Sequence, residues 1–297
     1  MTSVNLVGYV EHPVLGESPY RVGRDGASYV PVGDGGIVLG LELGDSVFRL
    51  AADHAAPGAC LLHPDPAARH ALAALACIGN RAVVRTGAAA GAAGSVIGKR
   101  GEEGRVIVGF RQADLALMRP SDEVLVQASG QGWRPAGIPA GVAVMNLDPA
   151  AFAALPVHVS ADDSTVTSAV RCTLPSKLAG NGIGRPAASW DLDLQLTSAD
   201  VAASGDAAAA GPAAGGAAAL PDVLLGDLVA VTDIDARYNM GYRRGWLTVG
   251  IVVHGASPLP GHGPGITPIL TGPSAVLLAM PDPANHVGLT AVLLQLQ

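Results

Sequence analysis

Three stretches of the chain bring together side chains able to do chemistry. The first is Ala52-Asp53-His54-Ala55-Ala56-Pro57-Gly58, in which a carboxylate and an imidazole run straight into a Pro-Gly turn. Neighbouring strand residues point to opposite faces, so Asp53 and His54 can address one object only if the strand breaks there, as Pro57-Gly58 implies. The second is Asp233-Ile234-Asp235. In a strand these carboxylates share a face, roughly 7 Å apart, and such a pair needs a cation, an arginine or water. Arg237, Arg243 and Arg244 follow closely, so a salt-bridge network is the competing reading. The third begins as the apolar run Thr248–Val253, which delivers His254, and continues as a Pro/Gly loop, Ser257–Gly265, that presents His262. Gly261, Gly263 and Gly265 would let the backbone N–H groups of that loop form a nest for a bound cofactor or anion. An ordinary turn is the alternative.

These residue types define a chemistry. Asp53, His54, Asp233, Asp235 and His254 are candidate metal ligands. A mixed oxygen and nitrogen set suits zinc, manganese or iron, and such an ion lowers the pKa of a bound water. His262 would then move a proton, and Arg237 or Arg243 would orient an anionic substrate. The expectation is a hydrolytic enzyme acting on a small polar or anionic molecule. The rival is a non-catalytic ligand-binding or self-assembling protein whose Gly-Pro loops hold an anion or pack between subunits. Familiar phosphate motifs fail: in Gly91–Lys99, Ala93 stands where a phosphate loop needs its first glycine, and Arg100 replaces the Ser/Thr that would hold magnesium.

The elements that must position these groups are short. The 39 glycines and 22 prolines punctuate runs rich in valine, leucine and isoleucine. The runs are Ile37–Leu43, Ser46–Leu50, Ala82–Arg85, Arg105–Phe110, Glu123–Ala128, Val142–Leu147, Leu228–Thr232, Trp246–His254 and Ile266–Leu270. Short strands between turn residues predict a mainly β chain with few short helices, arranged as a barrel-like or sandwich-like α+β fold. Helices are expected at His70–Ile78, after Asp148-Pro149 and, more weakly, at Ser198–Ala203. The run 94–99 has the glycine-valine rhythm of a small-barrel corner. The Ala/Gly-rich stretch 201–220 reads as a flexible loop or linker between a β-rich N-terminal part (1–200) and a β-rich C-terminal part (221–297) that completes the same fold.

Composition excludes some functions. A net charge of -7 with only two lysines, Lys99 and Lys177, argues against nucleic acid as a partner. At 4% aromatic residues the chain lacks a stacking platform. No apolar stretch approaches the roughly 20 residues of a membrane helix, and the first ten residues lack a secretory pattern, so a cytoplasmic protein is expected. The charged fraction of 14% leaves a bland surface that covering in a homo-oligomer would explain. Cys60, Cys77 and Cys172 are odd in number and show no CxxC spacing, which predicts buried free thiols.

Taken in order, several of these segments resemble a known bacterial family, domain of unknown function 4438. The likeness is carried by Gly44–Val47 with Asp53-His54 and Pro57-Gly58, Ala76–Asn80, Gly94–Lys99, Gly130–Gly132 and Met145–Pro149. It continues through Gly182–Gly184, Gly226-Asp227, Asp233, Asp235 with Arg237-Tyr238, and Val252–His254 leading into Gly261–Gly265. The resemblance implies a β-rich, oligomeric protein. It supplies no catalytic residue.

Overall fold

The computed structural model describes residues 2–15, 18–101, 104–198, 222–282 and 288–289. Its first half is built from nine strands: β1 (Val4–Val10), β2 (Arg21–Val22), β3 (Ser28–Tyr29), β4 (Ile37–Val38), β5 (Gly58–Leu62), β6 (Arg81–Val84), β7 (Ala93–Arg100), β8 (Arg105–Gly109) and β9 (Glu123–Ala128). Strands β1-β9-β6-β7-β8-β5 pair antiparallel in that order, and β1 pairs again with β5, so the sheet closes into a six-stranded barrel with β4 attached to β5. Closure removes the free edges that an open sheet would present. The interior is aliphatic: Leu61, Val96, Val106, Val108, Val124 and Val126 are fully buried, each such side chain stabilising by roughly 1.5–3 kcal/mol. The glycine-valine run 94–99 lies within β7, where the pairing with β8 shifts register between Val96 and Gly98 and bends the strand.

The second half is a sheet around a long hairpin. Its strands are β10 (Ala143–Val144), β11 (Val157–Val159), β12 (Val166–Val170), β13 (Cys172–Leu174), β14 (Leu192–Asp193), β15 (Leu228–Asp235), β16 (Gly241–His254), β17 (Gly265–Pro273) and β18 (Leu277–Pro281). The order is β10-β17-β16-β15-β13, with β14 also on β17, and β11-β12-β18 form a separate three-stranded sheet. Strand β16 is exposed at its start and buried from Trp246 to His254, because its last nine residues are covered on both faces. The two halves meet closely where β7 crosses β16: a Cβ on Gly98 would overlap Val253. This crossing brings the end of β7 beside the end of β16.

The fold is mainly β, as the spacing of turn residues predicts. Boundaries differ in instructive ways. Helix α1 spans Pro66–Leu75, earlier than His70–Ile78, because Asp65 caps it by accepting from Ala68 N and Pro66 sits in its first turn. Two further helices are α2 (Gln112–Leu117) and α3 (Pro149–Ala154), the last capped by Asp148 as its sequence requires. Ser46–Leu50 forms no strand: Ser46 makes a single bridge to Leu224, Val47 bonds to Val223 O and accepts from Ala256 N, and the run then turns through Arg49 N to Ser46 O. The linker expected at 201–220, and all but the first residue of the helix expected at Ser198–Ala203, lie outside the described residues. No helix among the described residues is long and apolar enough to cross a membrane. Cys60, Cys77 and Cys172 are buried and free, and burial pushes their thiols up to about 11, about 11 and about 12.

Candidate metal centre

The junction of the two halves gathers three imidazoles. His54 lies in the segment before β5 and adopts a left-handed φ of 57°, uncommon for a residue with a side chain. Its backbone N–H donates to Ala256 O at 3.2 Å, which ties this turn to the segment after β16. His254 ends β16, and His262 sits on the loop to β17. The ring centroids of His54 lie 5.1 Å from those of His254 and 4.9 Å from those of His262, both edge to face. Arg24 fixes the loop, its Nη2 donating to Ser257 O, Leu259 O and His262 O at 2.9, 3.2 and 2.8 Å.

Two carboxylates that sequence reasoning passed over complete the ring. Asp191 and Asp193 flank Leu192 at β14, and β14 pairs with the start of β17 through Asp193 and Gly265. Asp193 Oδ2 lies 2.8 Å from His262 Nδ1 and 3.6 Å from His54 Nε2, while its Oδ1 is 3.4 Å from His254 Nε2 and accepts no hydrogen bond. Asp191 Oδ1 accepts from Gly101 N, and its Oδ2 stands 2.6 Å from His254 Nε2. His254 Nδ1 is 3.0 Å from Gly255 O, a carbonyl that can only accept, so that nitrogen carries the ring proton. The Asp191 carboxylate also only accepts, so its 2.6 Å contact with Nε2 needs a proton, or a cation in its place, between the two atoms. His54 Nε2 and His262 Nδ1, 3.0 Å apart, likewise converge. Two overlapping sets, His54–Asp193–His262 and Asp191–Asp193–His254, each bring one ligand atom per residue within 4.8 Å of the others.

The surroundings set the electrostatics. Burial raises Asp53, but His54, the Ser257 hydroxyl and Arg21 outweigh it and hold the carboxyl well below its usual range. Asp53 Oδ1 accepts from Ser257 Oγ at 2.6 Å, and Oδ2 from Arg21 Nη1 at 2.6 Å and Tyr29 OH at 3.0 Å. His54 Nδ1 is 2.8 Å from Asp53 Oδ1, but the ring N–H points off that line, so the contact is ionic rather than an aligned hydrogen bond. Burial lowers the His54 imidazole, yet Asp193 and Asp53 prevail and lift it to about 9. Behind them Asp34 pairs with both Arg21 and Arg100. The ring borders a half-open pocket with about 10 Å³ of free space, lined also by Arg100, Gly101 and Asn181, on the scale of one water or one ion.

The remaining candidates are placed elsewhere. Asp233 and Asp235 do not share a face, because the β15–β16 register shifts between Thr232 and Ile234 and Asp233 takes a φ of 57°. Asp233 accepts from Gly245 N across the bulge, inside the paired strands and before the turn at 236–240. Asp235 pairs with Arg237 and Arg243, and both guanidiniums stack on Trp246 at 4.0 and 4.2 Å from the ring centre. Arg243 stands eleven residues before His254 on β16, roughly 35 Å along an extended strand, so neither arginine reaches the imidazoles. Two of the three loop glycines, Gly263 and Gly265, are required by packing, whereas Gly261 has open space beside it and a φ of 79°. A Cβ on Gly263 would overlap Leu194 O, one on Gly265 would overlap His254 Nε2 and Asp191 Oδ2, and Gly261 O accepts from Asn181 N.

Known relatives agree with this architecture. The N-terminal model of domain of unknown function 4438 matches residues 20–153, and the C-terminal model of the same family matches 155–289. The chain belongs to this family. Among solved structures, the crystal structure of TM1086 is 32% identical, covering 96% of this chain and 94% of that one, with a TM-score of 0.85. No protein with a curated description matches the chain. Within the family's division, His54 and Arg100 come from the N-terminal region, whereas Asp191, Asp193, His254 and His262 come from the C-terminal one.

Proposed function

We propose that this member of family 4438 is a metal-dependent hydrolase of small polar molecules, its ion held by His54, Asp193 and His262 with His254 and Asp191 alongside. The observation that carries the reading is the buried ring of acceptors around an ion-sized void. Charge supports a divalent ion. Arg21 and Arg100 are balanced by Asp34 and Asp53, which leaves the imidazoles and the Gly101 N–H as the partners of Asp191 and Asp193. Without an ion these buried carboxylates depend on imidazole protons for their balance, and an ion of charge +2 would take the place of those protons. Three imidazoles favour zinc, manganese or iron over magnesium or calcium.

When bound, the ion would supply Lewis acidity and a water of lowered pKa. The chain's own groups do the rest. Asp53, anchored by Ser257, Tyr29 and Arg21, holds the His54 turn. Arg24 holds the loop carrying His262, whose side chain is 18% exposed and so is the ring member nearest solvent.

Elemental analysis of the untagged protein by plasma mass spectrometry tests this directly. About one zinc, manganese or iron per chain is expected, with hydrolysis of simple amides, esters or lactones lost on chelation and regained on adding the ion. Absence of any metal after incubation with a panel of divalent ions would refute the proposal and leave a binding or assembly protein.

A further inference from the structure

Arg100 ends β7 and is almost wholly enclosed, with its side chain 5% exposed. One arm is accounted for, since Nη2 donates to Asp34 Oδ1. The other arm, Nη1, is buried and has no hydrogen-bond partner, although Arg100 lines the same small void as His54, Asp191, Asp193, His254 and His262. A buried guanidinium N–H without an acceptor is costly unless a ligand supplies one. Every other charged group on the void is an acceptor or an imidazole.

We propose that Arg100 Nη1 is the seat for one oxygen of a small carboxylate, so that the site takes acyl compounds rather than phosphate esters. The inference rests on the metal reading proposed above and narrows its substrate class. Hydrolysis of an amide or ester adds water across the C–N or C–O bond and leaves a carboxylate with an amine or alcohol. That carboxylate carries a single negative charge. With a divalent ion present, the ring is neutral once Asp34, Asp53, Asp191 and Asp193 are set against Arg21 and Arg100. One free N–H arm suits a monoanion, whereas a phosphate dianion would face Asp191 and Asp193 with no second guanidinium. Arg100 thus takes the anchoring role expected of Arg237 or Arg243.

Cobalt(II) added to the full-length protein serves as occupant and reporter, because its visible absorption changes when its surroundings do. Formate is expected to perturb that spectrum, and inorganic phosphate to do so at least tenfold more weakly. Arg100→Met should weaken formate binding at least tenfold with cobalt stoichiometry unchanged. Arg100→Lys, which keeps a charge beside Asp34, should show the same loss and carries the test if the methionine variant fails to fold. Cobalt-loaded variants that bind formate as the wild type does would overturn the Arg100 seat alone, as would tighter binding of phosphate than of formate. A wild-type protein that takes up no cobalt would sink the metal reading, and this inference with it.

Discussion

Asp191-Leu192-Asp193 and Asp233-Ile234-Asp235 are the same motif by composition and spacing, yet the fold uses them in opposite ways. At β14 the two carboxylates turn inward and meet His254, His262 and His54. In the β15–β16 hairpin a bulge separates the pair. One aspartate then accepts from the Gly245 backbone across the bulge, and the other is neutralised by two arginines stacked on Trp246. Spacing places carboxylates on a face; what faces them decides whether they become ligands or ion pairs. Guanidiniums satisfy a carboxylate permanently, whereas an imidazole does so only while it holds its second proton, and only the latter arrangement can exchange that proton for a cation.

Substitutions at matched positions should separate the two regions, the widest gap coming first. Asp193→Ala is expected to weaken metal binding by more than about 100-fold, since a ligand itself is lost rather than its support, while Asp235→Ala leaves the metal content unchanged; equal metal content in both proteins would erase the distinction. Gly265→Ala drives a methyl into His254 and Asp191 and should cost about 10- to 100-fold in metal affinity. Its counterpart, Gly245→Ala, stands in open space at a φ of 77° and should cost only about 1 kcal/mol of stability. Competition with a chromophoric chelator and thermal melts read the two effects.

A third buried charge sharpens the contrast by having no opposite charge at all. Lys99 donates to Asn146 Oδ1 and Ala188 O at 2.8 and 2.6 Å, and burial lowers its ammonium to about 8. Its ordinary value is 10.5, so the unfolded chain holds the proton more firmly. The lysine's own share of stability should therefore rise by roughly 3 kcal/mol between pH 8 and pH 10.5, against the opposite trend from His54 and the three buried thiols, whose folded values lie above their ordinary ones. Melts of the wild type and of Lys99→Met across that window isolate it as their difference, and a difference that does not change with pH would overturn it. The smallest effect belongs to Asp235→Ala, at most about 1 kcal/mol of stability and fading with added salt, because its arginine partners are largely solvent-exposed.

Most of the β architecture was legible because glycine and proline mark the ends of apolar runs, and strands such as Glu123–Ala128 match their runs end to end. Barrel closure was not legible, since the β1–β5 pairing joins Tyr9 to Leu62 through no local signal. The histidines of the ring could be picked out by their places beside Pro/Gly turns. Asp191 and Asp193 were overlooked because their pattern matches the hairpin pair and the distinguishing neighbours come from other segments. Arg100 was read as the residue that spoils a phosphate loop. Its burial against Asp34, sixty-six residues away in sequence, is what gives it a role.

The ring is assembled from distant parts of the chain, with His54 and His262 separated by 208 residues. At a synthesis rate of about 5–20 residues per second, a ribosome takes roughly 10–40 s to travel from one to the other. Asp191 and Asp193 follow His54 by 137 and 139 residues and His254 by 200, so the set stays incomplete until the end of that interval. On the proposed reading, selectivity among competing ions would be decided after translation, by the finished junction, and not by the first ion to meet the nascent chain.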